Sequence, residues 1–325
     1  MKNTIISATA SYLPETVVLN EELTQFPAEA RPRIAAKTGV LSRRVAPEHW
    51  CTSDLAIEAG RACLKKANFS PQKVQGLLVS TSSPDCMQPP TAARAQAGLG
   101  VTNAFAFDLN SVCSGSAYGI CMADALIRSE RFENILFIAA EMYSKILNPR
   151  DFGTAPYFGD GAGAILFEAG ESDRGVIDSC LGTDGHMNAE LGVFGGGTLN
   201  PFRRLANPNS IYLRMNGRAI MEFALRRGSE IIRRVSSKTG ITLGEVDCFI
   251  CHQANVNILK QLAAILDVPF EKFFVNLDRY GNTASASVII ALDEAIESGM
   301  LCEGSTAITV AFGGGLSYGA NLIRF

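Results

Sequence analysis

The sequence predicts an α/β fold made of two similar halves. Short, continuously apolar segments, such as residues 74–80 and 135–140, are typical of strands that are buried on both faces. Amphipathic segments between them predict the helices that cover such a sheet. The order helix, strand, turn, helix and strand occurs a second time after residue 170. We therefore expect one half at residues 1–170 and the other at residues 171–325.

The elements of the first half follow in order. An apolar strand at residues 4–12 ends before Pro14, and residues 20–41 are polar and helical in parts. Thr52 or Ser53 is expected to cap the next helix. The remaining predicted elements of this half are a strand at residues 74–80, a Pro-rich loop at 84–90, a short helix at 91–99, strands at 104–109 and 135–140, and a glycine turn leading into a strand at 158–167.

The second half repeats this pattern. Residues 170–209 are the least regular segment and are expected to connect the halves, and a long amphipathic helix follows at 216–237. The matching strands pair residues 74–80 with 246–252, 135–140 with 307–311, and 161–166 with 318–323. The duplication places Cys113 and Asn282 at corresponding strand-to-helix hinges. A pseudo-twofold axis would bring the two hinges together.

Composition narrows the class of protein. The chain has 325 residues, of which 47% are hydrophobic and 19% are charged, and this is enough for a large core. A net charge of −3 argues against non-specific binding of nucleic acid. The N-terminal segment lacks the features of a signal peptide, and no apolar run predicts a membrane span. We therefore expect a cytoplasmic protein whose nine cysteines are reduced.

Cys113 lies on a predicted turn between a strand and a helix. Asn110, Ser111 and Ser114 supply turn and cap chemistry, and the free N–H groups of a helix N-terminus favour a thiolate. The same N–H groups can hold a developing oxyanion. This placement is that of a nucleophile, and the alternative is a buried structural cysteine.

His252 is the one histidine at a predicted strand end, since His49 and His186 lie in polar, loop-like segments. A Cys–His pair is a common nucleophile arrangement, whereas a lone histidine is more often structural. Cys248, Cys251 and His252 also match the spacing for covalent haem attachment, but the two cysteines lie within an apolar strand of a chain without an export signal. The glycines of residues 159–164 superficially fit a dinucleotide-binding fingerprint. They lead into a strand rather than the required helix, so we reject that function.

Two polar and glycine-rich turns complete the candidate site. Asn282 follows Gly281 and would otherwise be a helix cap. The segment at residues 312–316 contains three successive glycines, which either form a flexible turn or allow the backbone N–H of Gly314 to approach a reacting group.

Taken together, these motifs resemble the β-ketoacyl-[acyl carrier protein] synthase III family, whose members have the thiolase fold. The resemblance runs almost end to end. The motifs that carry it are Ser11-Tyr12-Leu13-Pro14, Lys37-Thr38-Gly39-Val40, the Cys113 turn, Phe158-Gly159-Asp160-Gly161-Ala162-Gly163-Ala164, His252-Gln253-Ala254-Asn255, Gly281-Asn282-Thr283 and Phe312-Gly313-Gly314-Gly315. The resemblance implies a thiolase-like fold, with the two duplicated halves forming a layered αβαβα architecture.

The resemblance also implies a mechanism. Cys113 attacks an acyl thioester and carries the acyl primer, while His252 and Asn282 bind the thioester carbonyl of a malonyl group as it loses carbon dioxide. Backbone N–H groups of Cys113 and Gly314 would form the oxyanion hole. No metal and no cofactor are implied, since acyl-coenzyme A or acyl carrier protein and malonyl-acyl carrier protein are substrates. The expected partners are acyl carrier protein and a second copy of the chain, with no nucleic acid and no membrane.

The chain departs from the family at candidate substrate-binding positions. Where the family clamps adenine between a tryptophan and an arginine, the matching positions are Arg33 and Phe152, so the aromatic and the guanidinium have exchanged places. Lys37 replaces an arginine. The further candidates are Gln88 and Pro89 at the far end of the primer pocket, Arg150, which would meet a carboxylated primer, and Phe312 beside the glycine turn.

Three functional hypotheses follow. The first is a decarboxylating condensing enzyme in fatty-acid initiation or in a dedicated pathway, such as biotin or secondary metabolism. The second is an acyltransferase that moves the acyl group from Cys113 to a small-molecule oxygen or nitrogen nucleophile without decarboxylation. The third is an inactive subunit of a heteromeric synthase, against which the retained Cys113, His252 and Asn282 argue. The expected carrier-docking residues after His252 are largely absent, and Arg218, Arg226, Arg227, Arg233 and Arg234 form either a substitute patch or a solvated helix face.

Overall fold

A computed structural model describes residues 2–325 and contains thirteen strands and eight α-helices in that range. The strands are β1 (Asn3–Tyr12), β2 (Thr16–Leu19), β3 (Ser42–Val45), β4 (Gly76–Ser80), β5 (Phe105–Leu109), β6 (Asn134–Glu141), β7 (Gly161–Gly170), β8 (Gly175–Thr183), β9 (Leu191–Gly192), β10 (Arg214–Met215), β11 (Cys248–Cys251), β12 (Thr306–Gly313) and β13 (Ser317–Arg324). The helices are α1 (Pro32–Thr38), α2 (Thr52–Lys66), α3 (Thr91–Leu99), α4 (Gly115–Arg128), α5 (Gly217–Thr239), α6 (Val256–Leu266), α7 (Leu277–Tyr280) and α8 (Ala286–Glu297).

The first sheet has five strands in the order β1-β7-β6-β4-β5. Strand β4 runs parallel to both β5 and β6, whereas β7 runs antiparallel to β1 and β6. Every residue of β4 and β6 is buried, as their continuous apolar sequences predict. Strand β5 lies at the edge and is only partly buried.

The second sheet repeats the arrangement with the order β11-β12-β13-β8. Strands β11 and β12 are parallel, and β13 runs antiparallel to β12 and β8. A parallel bridge between Phe249 and Phe273 stands where β4 pairs with β5 in the first sheet. The prediction that residues 170–209 form only an irregular connection is wrong for β8, which is an edge strand of nine residues.

The helices and sheets form five layers. Helices α4 and α8 lie between the sheets, since each contacts strands of both. Helix α2 covers the outer face of the first sheet with α3 packed against it, and α5 covers the outer face of the second sheet with α6 packed against it. This is the predicted layered αβαβα architecture.

The first sheet lies within residues 3–170 and the second within residues 175–324. The division into two halves at residue 170 stays a prediction. We propose that each half is one structural and evolutionary unit. No helix within residues 2–325 is both long enough and apolar enough to cross a membrane.

The helix starts show how local sequence chemistry sets these elements. Helix α5 begins after Asn216, one residue beyond its predicted start, and the Asn216 side chain accepts a hydrogen bond from the N–H of Ala219. Helix α2 instead begins after Cys51, whose N–H donates to the Asp54 carboxylate at 2.6 Å. The predicted cap at Thr52 or Ser53 is therefore wrong by one or two positions.

Candidate active site

Cys113 lies on a short turn between β5 and α4. A 3₁₀ turn spans Val112–Ser114, and α4 begins at Gly115. Val112 adopts a φ of 48°, a left-handed conformation that is unfavourable for a β-branched residue. Such strain persists only where the surrounding packing holds it, and it is concentrated at functional sites. The Cys113 side chain is 3% exposed at this turn.

The end of β12 lies directly against this turn. A Cβ atom placed on Gly313 would be 2.6 Å from the backbone nitrogen of Cys113 and 2.8 Å from that of Ser114, so no side chain fits there. A Cβ atom on Gly314 would be 3.2 Å from the Val112 side chain. The glycine turn therefore brings its backbone to the nucleophile, which supports the prediction that Cys113 and Gly314 supply the oxyanion hole.

His252 follows the last residue of β11, and its ring is fixed on two sides. Its Nδ1 lies 2.7 Å from the Ser287 hydroxyl at the start of α8, and its ring meets the Phe312 ring edge-on, with 5.6 Å between the centroids. Burial lowers the pKa of His252 to about 3, although a hydrogen bond to the Ala284 backbone opposes this shift. The imidazole is therefore neutral near pH 7 and can act as a hydrogen-bond donor without carrying charge.

Asn282 lies at the hinge of the second half that corresponds to Cys113. Its backbone N–H donates to the carbonyl of Tyr157 at 2.8 Å, and its carbonyl accepts from Gly159 at 3.1 Å. Its side-chain oxygen accepts the Ala284 N–H at 2.8 Å, which leaves the amide N–H₂ group to donate to a ligand. Ala284 has a φ of 46°, so both hinges contain a strained, non-glycine residue.

The structure brings the three predicted catalytic residues into one site. Phe312, which contacts the His252 ring, immediately precedes the Gly313 backbone that touches Cys113. Ser287, whose hydroxyl lies 2.7 Å from the His252 Nδ1, lies in the first turn of α8, just after the hinge that contains Asn282. The hinges of the two halves and the ends of β11 and β12 therefore converge on one point.

The Cys113 thiol differs from the sequence-based expectation. Burial, reinforced by the nearby Glu141 carboxylate, raises the pKa of Cys113 above its ordinary value, while a hydrogen bond from Tyr143 opposes the shift. The helix N-terminus alone therefore does not make Cys113 a thiolate in the unliganded protein.

A cavity of about 450 Å³ adjoins Asn282 and is the size of a small-ligand pocket. Its wall contains Lys37 and Asn282, and the Lys37 ammonium lies 5.3 Å from the centre of the Tyr157 ring. The lining side chains that sequence reasoning missed are apolar or aromatic residues of β10, α5, α6 and the segment before β7: Tyr157, Met215, Ile220, Met221 and Ile258. They carry no sequence signal of their own, because such residues also build ordinary cores.

The remaining substrate-binding candidates do not line this cavity. Arg33 is exposed on α1, and Phe152 packs edge-on against Phe26 with 5.2 Å between the ring centroids. The proposed exchange of stacking partners between Arg33 and Phe152 therefore stays a prediction. Gln88 and Pro89 are exposed on the loop between β4 and α3, and Arg150 is exposed as well.

The structure agrees with the rejection of haem attachment and of dinucleotide binding. Cys248 and Cys251 are fully buried in β11, which leaves no room for a covalently attached haem. Gly161 opens strand β7 rather than a helix, so the glycine motif is not a dinucleotide fingerprint. Among residues 2–325, no cluster of three or more histidine, cysteine or acidic side chains is arranged to hold a metal ion.

The class of protein that the fold defines is the thiolase-fold enzymes. Family models described as 3-oxoacyl-[acyl-carrier-protein (ACP)] synthase III and its C-terminal region match residues 107–185 and 237–325. A β-ketoacyl-[acyl-carrier-protein] synthase III of Caldanaerobacter subterraneus subsp. tengcongensis is 37% identical over 98% of this chain and 97% of its own.

Solved structures give the same result. The 3-oxoacyl-(acyl carrier protein) synthase III of Pseudomonas aeruginosa is similar with a TM-score of 0.93 and 32% identity, covering 99% of this chain and 98% of its own. A priming β-ketosynthase of a polyketide biosynthetic pathway is similar with a TM-score of 0.91 and 28% identity, covering 99% and 96%. This chain belongs to the 3-oxoacyl-(acyl-carrier-protein) synthase III family.

Proposed function

We propose that this protein is a β-ketoacyl-acyl carrier protein synthase III-type condensing enzyme. An acyl primer is loaded on Cys113 and is then condensed with malonyl-acyl carrier protein, with loss of carbon dioxide, to give a β-ketoacyl thioester. The observation that carries the proposal is the pair of donors opposite the nucleophile, a neutral His252 and an Asn282 amide whose oxygen is already satisfied. Transfer of an acyl group to a simple alcohol or amine does not need such a pair.

The steps follow from these groups. The Cys113 sulfur attacks the primer thioester, the carrier thiol leaves, and the acyl group stays on Cys113. Hydrogen bonds from His252 and Asn282 then stabilise the negative charge on the malonyl thioester oxygen as the carbon–carbon bond to carbon dioxide breaks. The resulting carbanion attacks the acyl carbonyl, whose oxygen is held by the N–H groups of Cys113 and Gly314. Collapse of that intermediate expels the Cys113 thiolate and releases the product.

The relatives support this assignment by name, and they leave the pathway open. Most act, by their names, on acyl carrier protein, whereas the polyketide relative primes a different pathway. Primary fatty-acid initiation and a dedicated pathway therefore both remain in the proposal. The alternative acyltransferase function has no specific structural observation in its favour.

We propose that acyl carrier protein docks on α5, near the cavity that adjoins Asn282. Arg218 borders the cavity, and within the described residues 2–325 its ion pair is with the exposed Glu222 alone. By contrast, Arg226 and Arg227 lie 3.7 Å and 3.3 Å from the Asp184 carboxylate, so much of the positive charge of the predicted substitute patch is already compensated.

We also propose a homodimer formed through β5, which is an edge strand of the first sheet.

The proposal is tested by intact-protein mass spectrometry with short, long and dicarboxylic acyl-coenzyme A primers. The wild type is expected to gain the mass of one acyl group, and Cys113→Ala is expected to gain none. Malonyl-acyl carrier protein is then added, and carbon dioxide release with a β-ketoacyl product is expected. Asn282→Ala is expected to acylate normally and to lose condensation by about 10²-fold or more. Acylation without condensation in the wild type would favour the acyltransferase function instead.

If no acyl-coenzyme A primer acylates Cys113, a second panel of primers is tested. The panel is repeated with acyl-carrier proteins, since the Arg33 and Phe152 positions leave coenzyme A delivery without the family's usual clamp. If neither carrier loads Cys113, the condensing function is wrong and the chain is an inactive subunit.

A further inference from the structure

One nitrogen of the His252 ring is held by a neighbouring hydroxyl group, and the condensation steps above leave that contact unused. The Nδ1 atom lies 2.7 Å from the Ser287 Oγ atom. A neutral imidazole has one N–H and one lone pair, and only the N–H can stabilise a negative oxygen. Since Nδ1 already faces Ser287, a donor toward a ligand must be Nε2. The position of the ring proton therefore decides whether His252 can serve as that donor.

The Ser287 hydroxyl has two neighbours in the fold. Ser287 is the second residue of α8 and is 2% exposed. Its oxygen accepts the backbone N–H of Gln253 at 3.2 Å, in addition to lying beside Nδ1 of His252. A hydroxyl group has a single proton and two lone pairs, and a backbone N–H can only donate. Within residues 2–325, the His252 Nδ1 is the one acceptor in hydrogen-bond contact with this hydroxyl.

The protons around Ser287 can be arranged in two ways. With the ring proton on Nδ1, Ser287 would accept from both His252 and Gln253, and its own proton would lie buried without an acceptor. The Ala284 carbonyl already accepts the Ser287 backbone N–H at 3.2 Å, and passing the Nδ1 proton to it would still leave the hydroxyl proton unpaired. With the lone pair on Nδ1, every proton has an acceptor. A buried hydroxyl without an acceptor is costly, so the second arrangement is favoured and the ring proton lies on Nε2.

The Gln253 backbone that fixes the Ser287 hydroxyl is itself anchored. The Gln253 side chain is 1% exposed, and its amide N–H₂ donates to the carbonyls of Cys251 at 2.7 Å and Phe274 at 3.1 Å. Its carbonyl oxygen accepts the N–H of Asn276 at 3.1 Å. Each polar group of this side chain is therefore paired, and the segment after β11 is held with its N–H toward Ser287.

We propose that Ser287 is a positioning residue that donates its hydroxyl proton to Nδ1 of His252 and so keeps the neutral imidazole in the tautomer with its proton on Nε2. The Nε2–H group is then a donor to the malonyl oxygen before the substrate arrives, with no proton taken from solution. The inference rests on the proposed function in taking His252 as that donor, whereas the position of the ring proton is independent of it.

The test is nuclear magnetic resonance of the full chain labelled with ¹⁵N-histidine, at pH 7.5 and without substrate. The chain has three histidines, and the signals of His252 are those that disappear in His252→Gln. A ring nitrogen with a proton resonates well upfield of one with a lone pair, and only Nε2 couples strongly to both carbon-bound ring protons. In the wild type we expect a protonated Nε2 and a bare Nδ1 on His252. The exposed His49 and His186 give the averaged signals of freely exchanging rings for reference.

The variants separate the hydroxyl from the rest of the packing. Ser287→Ala removes the proton that Nδ1 accepts, so both tautomers are expected to form and the two nitrogen resonances of His252 to move toward each other. Condensation is then expected to slow about tenfold or more, with acylation of Cys113 within twofold of wild type. Ser287→Thr keeps the hydroxyl and is expected to restore the wild-type resonances and rate.

Ser285→Ala is the matched control for the resonances. Ser285 is also buried at the start of α8, but its hydroxyl donates to the Glu141 carboxylate at 2.7 Å rather than to the His252 ring. Its loss is expected to leave both His252 nitrogen resonances at their wild-type positions.

Two results would overturn the proposal: a wild-type ring with its proton on Nδ1, or unchanged His252 resonances in Ser287→Ala. Both are read without Ser287→Thr, so the test holds even if the added methyl group unfolds that variant. The spectra need no thioester. A protonated Nε2 in a protein that does not condense malonyl-acyl carrier protein would therefore support the assignment of the ring proton and count against the proposed function alone.

Discussion

The neutral state of His252 links the stability of the fold to pH. Burial lowers its pKa to about 3 in the folded protein, whereas the unfolded chain has the ordinary value of 6.5. Below pH 6.5 the unfolded chain therefore binds a proton that the folded state does not bind, so stability falls as pH falls toward 3. Between pH 7 and pH 5 this one group removes about 2 kcal/mol from the free energy of unfolding.

We predict that a His252→Gln variant loses this contribution. Its free energy of unfolding, measured by urea denaturation at pH 7 and pH 5, is expected to fall by about 2 kcal/mol less than that of the wild type. Other titrating groups are common to both proteins and cancel in the comparison. The same fall in both proteins would mean that His252 is protonated in the folded state.

At the residue scale, the sequence predicted the groups that stand beside a strand end or a helix start. Cys113, His252 and Asn282 are all of this kind, and the structure places them together. The buried polar cluster of Glu141 and Tyr143 was missed, because both side chains are joined through Ser82, which is remote from them in sequence. The expectation that Cys113 is a thiolate differs from the structure for a related reason. A helix N-terminus lowers the pKa of a thiol only weakly and locally, whereas burial, which raises that pKa, depends on the whole fold.

At the element scale, β5 is the exposed feature that a partner would cover. In the part of the chain that the structure describes, β5 pairs only with β4, so its other edge presents unpaired N–H and C=O groups. Phe107 is 37% exposed on this strand and stacks with Phe105. Antiparallel pairing of two β5 strands about a twofold axis would join two five-stranded sheets and cover both aromatic side chains.

We therefore predict that Phe107→Lys weakens self-association. Sedimentation velocity is expected to show a dimer for the wild type and mainly monomer for the variant at the same micromolar concentration, since a charge would be buried against its own copy. Phe202→Lys is the control, because Phe202 is 66% exposed on a loop outside both sheets. A dimer of unchanged affinity in Phe107→Lys would place the interface elsewhere.

Element prediction succeeded where the apolar pattern was continuous and failed where it was mixed. Strands β4 and β6 are buried along their whole length, and their sequences show it. Strand β8 is an edge strand that places Asp178 and Ser179 at half-buried positions, so its sequence lacks both a continuous apolar run and a clean alternation. Its assignment required knowledge of its pairing with β13, which only the folded chain supplies.

At the scale of the whole molecule, polar contacts hold the halves together at both ends of the central layer. Near the active site, Ser285 donates to Glu141, and Phe158 forms a bridge with Asn282. At the other end of α8, the Asp293 side chain contacts residues of the first half. The predicted duplication anticipated that the hinges meet, but it contained no information about which side chains would join them.

Asp293 makes three of these contacts. Its carboxylate is 3% exposed and accepts hydrogen bonds from Thr9 and Ser11 of β1, each at 2.8 Å, while the Lys66 ammonium of α2 lies 3.2 Å away. Removing the carboxylate leaves two hydroxyls without their acceptor, and the Lys66 ammonium keeps only its contact with the exposed Glu297. Because these groups are partly or wholly shielded from water, the loss is larger than that of a surface ion pair.

We predict that Asp293→Ala lowers the free energy of unfolding by about 2–4 kcal/mol in urea denaturation. Glu297→Gln is the matched control, since Glu297 lies one turn further along α8, contacts the same Lys66 at 3.0 Å and is 60% exposed. Its substitution is expected to change stability by less than about 0.5 kcal/mol. The central helices are shared by both sheets, so far-ultraviolet circular dichroism and tryptophan fluorescence should report one common transition in each variant. If Asp293→Ala unfolds at the wild-type midpoint, the apolar faces of α4 and α8 alone hold the halves together, and the polar cross-link contributes nothing to their association.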